Sequence, residues 1–290
     1  MASFSSFSTL LEKYDYFLFD CDGVLWELEK DIPGSFETLN RIKAAGKRCF
    51  FVTNHSGKTS EDVVAKLSKF GFQAEAAHCP VTGSASAQFL DTKDLASKKV
   101  LVIGEEGLCR ALANAGYEPF RLDDSDFKDF NEGTFKSMQV EENVAAVVCG
   151  IFNGLKYYHL CYASLCVRKG SLLLGTNEDG VFKIGKSLLP GAGITVRLVE
   201  EASEVKATMI GKPQSALFDM IIKQNGLEGE PRSKFLMVGD NPKTDIAMGN
   251  RVGIDTLLVL SGVTNEEQAA KLSVTEQRPT YVQPYLGYST

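Results

Sequence analysis

Four groups of polar residues in this sequence each follow a short apolar run, and their side chains are of types that bind ions or transfer protons. The groups are Asp20-Cys21-Asp22-Gly23, Thr53-Asn54, Lys212 and the acidic segment at residues 240–245. In open parallel sheets, ligands bind outside the carboxyl ends of the strands. Groups that follow such strands are therefore expected to converge at one site.

The carboxylates in these groups indicate what that site holds. Three carboxylates at strand ends beside one lysine repel one another, by a few kcal/mol at about 4 Å in a medium of intermediate dielectric. A hard, oxygen-binding divalent cation removes that repulsion, and magnesium is the natural candidate. Taken alone, Asp20-Cys21-Asp22-Gly23 is also a common turn sequence, so both interpretations stand at this point.

The apolar runs that precede the groups predict the elements that position them. Residues 16–19, 50–52, 209–210 and 235–238 are typical of buried strands. Between the first two runs, apolar residues at helical spacing follow Pro33-Gly34 and predict a helix. Alternating strands and helices indicate an α/β fold with a mainly parallel sheet covered on both faces, because parallel crossovers need that cover.

A chain of 290 residues, 44% of them hydrophobic, is long for one domain. Its middle third repeats the alternation of strands and helices and predicts a second α/β domain. The small, polar Thr82-Gly83-Ser84 and residues 188–193 are its expected hinges. The predicted organisation is a core at residues 1–83, a second domain at residues 84–188 and a second core segment at residues 189–290.

Composition limits the classes of partner. A net charge of −6 argues against sequence-independent binding of nucleic acid or anionic membranes. The seven cysteines are scattered and never spaced as C-x-x-C, which favours reduced thiols over zinc sites or disulfides. The Ser-rich amino terminus has neither the basic region nor the apolar stretch of a signal peptide. A soluble, cytoplasmic protein is expected.

The four groups together resemble the four motifs of the haloacid dehalogenase superfamily. The first motif is similar to Phe19-Asp20-Cys21-Asp22-Gly23-Val24-Leu25-Trp26, and the second to Val52-Thr53-Asn54. The third is similar to Gly211-Lys212-Pro213, and the fourth to Gly239-Asp240-Asn241-Pro242-Lys243-Thr244-Asp245. Within the superfamily, the chain resembles the phosphoglycolate, pyridoxal phosphate and 4-nitrophenyl phosphatases. This group implies a Rossmann-like, doubly wound core with an α/β cap inserted between the second and third motifs.

The resemblance implies a catalytic role for each motif. Asp20 would attack phosphorus to give an aspartyl phosphate, and Asp22 would be the general acid and base. Thr53 would offer a hydroxyl, Asn54 a backbone N–H and Lys212 a positive charge to the phosphoryl oxygens.

The same resemblance implies a magnesium site and two candidate residues in the cap. Mg²⁺ would be held by Asp20 and Asp240 and by the backbone carbonyl of Asp22, with Asp245 and Asn241 in support. Gly23 would permit close approach of the backbone to the substrate. In the cap, Asn177 and Asp179 either face the site or form a turn or a helix cap, and the sequence does not decide between these.

The predicted activity is therefore hydrolysis of small organic phosphate monoesters, with 2-phosphoglycolate the leading substrate and 4-nitrophenyl phosphate an artificial one. A pyridoxal phosphate phosphatase, a protein phosphatase on the same scaffold and a catalytically silent binding protein are the alternatives. Related proteins pair through their caps, so a homodimer is expected. Trp26 either packs near the mouth of the pocket or belongs to the core, and Cys21 is either redox-sensitive or a buried apolar residue.

Overall fold

The structure, a computed structural model, describes residues 7–122, 131–184 and 187–288, so the amino-terminal residues 1–6 lie outside it. Its strands are β1 (Tyr16–Phe19), β2 (Trp26–Glu27), β3 (Lys30–Asp31), β4 (Arg48–Phe51), β5 (Lys99–Ile103), β6 (Glu118–Phe120), β7 (Ala146–Cys149), β8 (Leu172–Gly175), β9 (Val181–Ile184), β10 (Ser187–Pro190), β11 (Thr208–Met209), β12 (Phe235–Gly239), β13 (Asp255–Val259) and β14 (Tyr281–Gln283). Its α-helices are α1 (Phe7–Lys13), α2 (Ser35–Ala44), α3 (Ser60–Lys69), α4 (Thr82–Asp91), α5 (Glu106–Asn114), α6 (Glu132–Lys136), α7 (Tyr157–Arg168), α8 (Ala192–Ser203), α9 (Ala216–Gln224), α10 (Ala247–Arg251) and α11 (Glu266–Ala270).

The described residues form two compact units. The first is drawn from residues 1–53, 60–80 and 212–290, and the second from residues 54–59 and 81–211. The second unit therefore interrupts the first in the sequence.

The sheet of the first unit is parallel throughout, in the order β14-β13-β12-β1-β4. Its central strand β12 is buried along its whole length, as a parallel strand covered on both faces must be. Helix α2 begins directly after Pro33-Gly34, as predicted, and buries Phe36, Leu39 and Ile42. Because the strands are parallel, their carboxyl ends share one edge, and Asp20 and Asp240 directly follow β1 and β12 there.

The second unit has its own parallel sheet, in the order β11-β8-β7-β5-β6. Strand β11 pairs with β8 through Thr208 and Leu174, so the prediction that the apolar run at residues 209–210 belongs to the core sheet is wrong. On α8, Val196 and Val199 are buried in the core of this second sheet. Residues 189–211, assigned to the core in the sequence analysis, therefore lie in the second unit. The compact units and the predicted domains thus divide the chain at different residues, and the predicted bounds at 83/84 and 188/189 stay predictions.

The two predicted hinge segments have regular structure. Thr82-Gly83-Ser84 is the first turn of α4, where the Ser84 hydroxyl donates to the Val81 carbonyl at 2.9 Å and accepts from the Val81 N–H at 3.3 Å. Small polar residues cap helices as readily as they form loops, which explains the difference. Residues 188–190 belong to β10, which pairs with β9 as an antiparallel hairpin, and α8 follows at once.

All seven cysteines are buried free thiols. Burial raises the pKa of the Cys149 thiol to about 12 and that of Cys21 well above its ordinary value. Among the described helices, none has both the length and the apolar character needed to cross a bilayer.

Candidate active site

The ammonium group of Lys212 lies at the centre of a buried polar cluster in the first unit. Its Nζ lies 2.6 Å from Asp20 Oδ1 and 2.7 Å from Asp245 Oδ1, and it donates to the Val52 carbonyl at 2.7 Å. These three oxygens match the three donors of an ammonium group. Burial lowers the pKa of Lys212, but the negative charges of Asp20 and Asp245 raise it by more. The net effect is a raised pKa, so the side chain stays charged.

The register of the parallel strands positions Asp20. Its N–H donates to the Val238 carbonyl at 2.9 Å, and the Val52 N–H donates to the Phe19 carbonyl at 2.7 Å. The hydrogen-bond ladder therefore extends beyond β1 on both sides and fixes the Asp20 backbone. Thr53, the next residue after Val52, is buried in the same unit.

The segment after β12 holds the other two carboxylates. Asp245 lies in a single π-helical turn, Pro242–Ile246, and its Oδ2 accepts from the Asn241 N–H at 3.0 Å. Asn241 begins this turn, because its Oδ1 accepts from the Lys243 N–H at 3.0 Å. Asp240 Oδ2 accepts from the Val263 N–H at 2.7 Å. Asn241 thus holds the turn that carries Asp245, and its role in the site stays a prediction.

Two glycines make room for the Asp240 carboxylate. A Cβ atom on Gly23 or on Gly262 would overlap its oxygens. Gly23 also has φ +84°, a conformation that other residues rarely adopt. The structure thus gives the glycine of the first motif a definite role, which is to let Asp240 approach the backbone; a role in substrate binding stays a prediction.

The carboxylates of Asp20, Asp240 and Asp245 form a group that fits a divalent cation. One oxygen of each lies within 4.8 Å of the others, and Lys212 pairs with two of the three, Asp20 and Asp245. Burial, together with the charge of Asp245, raises the pKa of Asp240 to about 7. Burial likewise raises the pKa of Asp20 well above its ordinary value, although Lys212 opposes the change. A hard cation bound by these oxygens would offset the cost of burying ionised carboxylates so close together. The donor set therefore suits Mg²⁺.

Asp22 differs from these residues in its environment, because its side chain is exposed whereas Asp20 is 9% exposed. Asp22 Oδ1 accepts a hydrogen bond from Trp26 Nε1 at 3.0 Å. Two carboxylates in such different surroundings suit different tasks, one as a fixed nucleophile and the other as a proton carrier.

A second polar cluster lies within the second unit and contains Asn54, Asn177 and Asp179. Asn177 Nδ2 donates to the Asn54 carbonyl at 2.8 Å, and Asn54 Nδ2 donates to Asp179 Oδ2 at 3.3 Å. The Asp179 N–H donates to Asn177 Oδ1 at 3.0 Å, which forms a turn, one of the interpretations that the sequence left open. Whether Asn177 and Asp179 also act on substrate stays a prediction.

Two family models match this chain, one near each end. A haloacid dehalogenase-like hydrolase model matches residues 17–118, and a HAD-hydrolase-like model matches residues 209–288. Phosphoglycolate phosphatase 2 of Arabidopsis thaliana is 35% identical over 92% of this chain and 89% of that protein. The chain belongs to the haloacid dehalogenase-like hydrolases. Human glycerol-3-phosphate phosphatase, 34% identical over 88% of this chain and 81% of its own length, is another relative.

Solved structures of haloacid dehalogenase-like phosphatases agree with this family. The 4-nitrophenylphosphatase of Thermotoga maritima superposes with a TM-score of 0.80 at 26% identity, over 96% of this chain and 97% of that one. Glycerol phosphate phosphatase of Mycobacterium tuberculosis, solved in complex with magnesium, gives a TM-score of 0.79 at 27% identity, over 98% of this chain and 78% of that one. The predicted fold class is confirmed, and the protein is a phosphoric monoester hydrolase.

Some features of this haloacid dehalogenase-like site were not predicted from the sequence. The Val263 N–H and Gly262 both contact Asp240, yet they lie in a loop without a distinctive motif. The hydrogen bond from Trp26 to Asp22 was also missed. The four-residue spacing within the first motif could have suggested it, because a tight turn returns the chain over that distance.

Proposed function

We propose that this phosphatase hydrolyses small organic phosphate monoesters through an aspartyl phosphate on Asp20, and that 2-phosphoglycolate is its substrate. The observation that carries the mechanism is the buried ion pair between Lys212 and Asp20, which holds a carboxylate at a strand end beside a cation site. The choice of substrate is supported by the 35% identity with a phosphoglycolate phosphatase over 92% of this chain.

The first half of the proposed reaction forms the covalent intermediate. A carboxylate oxygen of Asp20 attacks phosphorus, and the bond between phosphorus and the leaving oxygen breaks. Asp22 donates its proton to that oxygen, so the product leaves as an alcohol. An exposed Asp22 suits this role, because the carboxyl must meet a substrate that arrives from solvent.

The second half regenerates the enzyme. Water attacks phosphorus, the bond to Asp20 breaks, and Asp22 accepts the proton from that water. The Asp20 carboxylate and inorganic phosphate are released. Lys212 contacts the Asp20 carboxylate, which becomes the acyl phosphate in the first half and is released as a carboxylate in the second. Its positive charge therefore offsets the change in charge on Asp20 in both halves.

Magnesium is the metal we propose, held by Asp20 and Asp240 together with the backbone carbonyl of Asp22. When bound, it would supply positive charge that stabilises the phosphoryl oxygens. Asp245 already pairs with Lys212 and with the Asn241 N–H, so we assign it a supporting role. We further propose that Thr53, Asn54 and Gly23 bind the phosphoryl group.

Glycerol 3-phosphate is the second candidate substrate, because the human glycerol-3-phosphate phosphatase is 34% identical to this chain. Both candidates are small and carry the phosphate on an alkyl oxygen, whereas pyridoxal phosphate adds an aromatic ring and a phosphoprotein adds a large surface. Phosphate release from one substrate of each kind distinguishes these four classes of phosphatase.

The decisive experiment measures phosphate release from 2-phosphoglycolate, glycerol 3-phosphate, pyridoxal phosphate, 4-nitrophenyl phosphate and a phosphoserine peptide, with magnesium or with EDTA. We expect the highest kcat/KM on 2-phosphoglycolate with magnesium and a loss of at least about 1,000-fold in Asp20→Asn. A higher kcat/KM on any other member overturns the substrate proposal. Equal release by wild type and Asp20→Asn overturns the mechanism, and no release at all favours a binding protein.

We also propose a cytosolic location and a homodimer that forms through the second unit. Seven buried free thiols suit a reducing compartment. Val181, Leu188 and Leu189 on the β9–β10 hairpin are exposed, as apolar residues of a dimer interface are in the isolated chain. Light scattering should give twice the 31.6 kDa mass of the chain, and a monomer at all concentrations would contradict the dimer.

A further inference from the structure

The indole of Trp26 is buried, but its one polar atom is bonded to an exposed carboxylate. Trp26 is 3% exposed, and Nε1 donates to Asp22 Oδ1 at 3.0 Å. The sequence contains only this tryptophan. A buried indole N–H needs an acceptor, and here that acceptor is the carboxylate of Asp22 instead of a backbone carbonyl.

Several contacts fix the indole and therefore the direction of its N–H. The ring stacks on Phe36 and Phe70, with centroids 6.5 and 6.0 Å away. The Lys66 ammonium lies 4.4 Å from the centroid of the ring. The Trp26 carbonyl accepts from the Gly23 N–H at 2.8 Å, which ties the start of the β2–β3 hairpin to the turn that carries Asp22.

We propose that Trp26 is a positioning residue that holds the Asp22 carboxyl group ready for proton transfer. This inference rests on the proposed function, in which Asp22 protonates the leaving oxygen. Because Oδ1 accepts from the indole, the transferable proton is carried by Oδ2, and the fixed ring sets where Oδ2 lies. Without the indole N–H, an exposed aspartate samples several rotamers, and few of them deliver the proton in line.

The leaving group of the substrate tests this role. An alkyl phosphate such as 2-phosphoglycolate needs its leaving oxygen protonated, whereas 4-nitrophenolate leaves readily without a proton. We expect Trp26→Phe, which keeps a ring but removes the N–H, to lower kcat/KM on 2-phosphoglycolate by about 10- to 100-fold, a part of what a general acid contributes. On 4-nitrophenyl phosphate we expect a loss of less than about threefold.

Phe70→Leu is the matched control. It removes one of the two stacked rings, but Phe36, the Lys66 ammonium and the Gly23 N–H still hold the indole with its N–H in place, so it should lower kcat/KM on both substrates by the same small factor. Equal losses on the two substrates in Trp26→Phe, or no loss on either, would overturn the proposal. Wild-type protein that releases phosphate from neither substrate would instead overturn the proposed function.

A second measurement needs no activity and no Trp26 variant. A ¹⁵N-labelled sample should give a single indole N–H signal, because the chain has one tryptophan. We expect Asp22→Ala to shift this signal upfield and to speed its exchange with solvent, since the N–H loses its acceptor. An unchanged signal in folded Asp22→Ala would show that the hydrogen bond is absent and would overturn the proposal by itself.

Discussion

Lys212 and Asp245 form an ion pair in which both side chains are almost fully buried, with exposed fractions of 2% and 1%. The Nζ and Oδ1 atoms lie 2.7 Å apart, and Lys212 also pairs with Asp20 at 2.6 Å. A buried ion pair adds little stability compared with apolar residues of similar volume. Removal of one partner is nevertheless destabilising, because it leaves the other charge buried without compensation. Lys212 therefore stabilises the folded protein, in addition to the catalytic role that we propose for it.

Replacement of Lys212 by methionine tests its contribution to stability. We expect Lys212→Met to lower the free energy of unfolding by about 3–5 kcal/mol, because Asp20 and Asp245 lose their buried counter-charge. Urea unfolding in EDTA measures the change. Adding Asp245→Asn should recover part of the loss, and a double variant less stable than Lys212→Met would contradict the explanation. Lys271→Met, in an exposed pair with Glu267, is the control and should have little effect.

Magnesium should stabilise the protein more strongly as the pH rises. Burial raises the pKa of Asp240 from 3.8 to about 7 in the metal-free folded protein. Protonated Asp240 therefore contributes stability below about pH 4, and that contribution is lost as the pH rises through about 7. Magnesium needs ionised ligands and has the opposite dependence.

Thermal unfolding with magnesium and with EDTA measures this effect. We expect the difference in Tm to widen between about pH 6 and about pH 8, since Asp240 ionises across that range. Asp240→Asn is the control and should lose most of the difference at each pH. A Tm difference that is constant or that narrows with rising pH would contradict the assignment of Asp240 as a ligand.

The cluster in the second unit should matter for activity through Asn54. Asn177→Asp keeps the size of the side chain but removes the N–H that donates to the Asn54 carbonyl at 2.8 Å. We expect kcat/KM on 2-phosphoglycolate to fall by about tenfold, the effect of one lost hydrogen bond. Glu178→Gln, on the exposed residue between Asn177 and Asp179, is the control and should keep full activity. A fully active Asn177→Asp would remove Asn177 from the functional residues.

The thiols should be unreactive in the folded protein. Burial raises the pKa of the Cys79 and Cys149 thiols to about 12 and that of Cys21 well above its ordinary value, so thiolate is scarce at neutral pH. We expect iodoacetamide to label all seven cysteines only after denaturation, as peptide mass spectrometry would report. Rapid labelling of Cys21 in the native protein would instead support the redox interpretation of that residue.

The core strands were predicted well from the sequence, because a short apolar run between polar groups is most favourable as a buried strand. A short apolar run that is followed directly by aspartate, as β1 and β12 are, is typical of a strand covered on both faces. The pairing of β1 with β12 was not predicted, because more than 200 residues separate Phe19 from Val238. That Asp20, Lys212 and Asp240 would meet was instead predicted from the rule that ligands bind outside the carboxyl ends of parallel strands, and the motif resemblance supported it.

Short elements were predicted less well. Strand β11 has two residues, and two apolar residues carry no information about which sheet they join. Its partner is set by α8, which brings the chain back over β8 through buried Val196 and Val199. The hydrogen bond between Trp26 and Asp22 depends on one side-chain direction, which no periodicity encodes.

The second unit interrupts the first in the sequence, so the two sheets are completed at different times during synthesis. The strands of the second sheet all lie between residues 99 and 209, so that sheet is whole once this stretch has left the ribosome. At the same moment β1 has β4 beside it but still lacks β12, which ends at residue 239. One edge of the apolar β1 therefore stays open through most of translation. We therefore expect the first unit to be more exposed to aggregation during synthesis than the second.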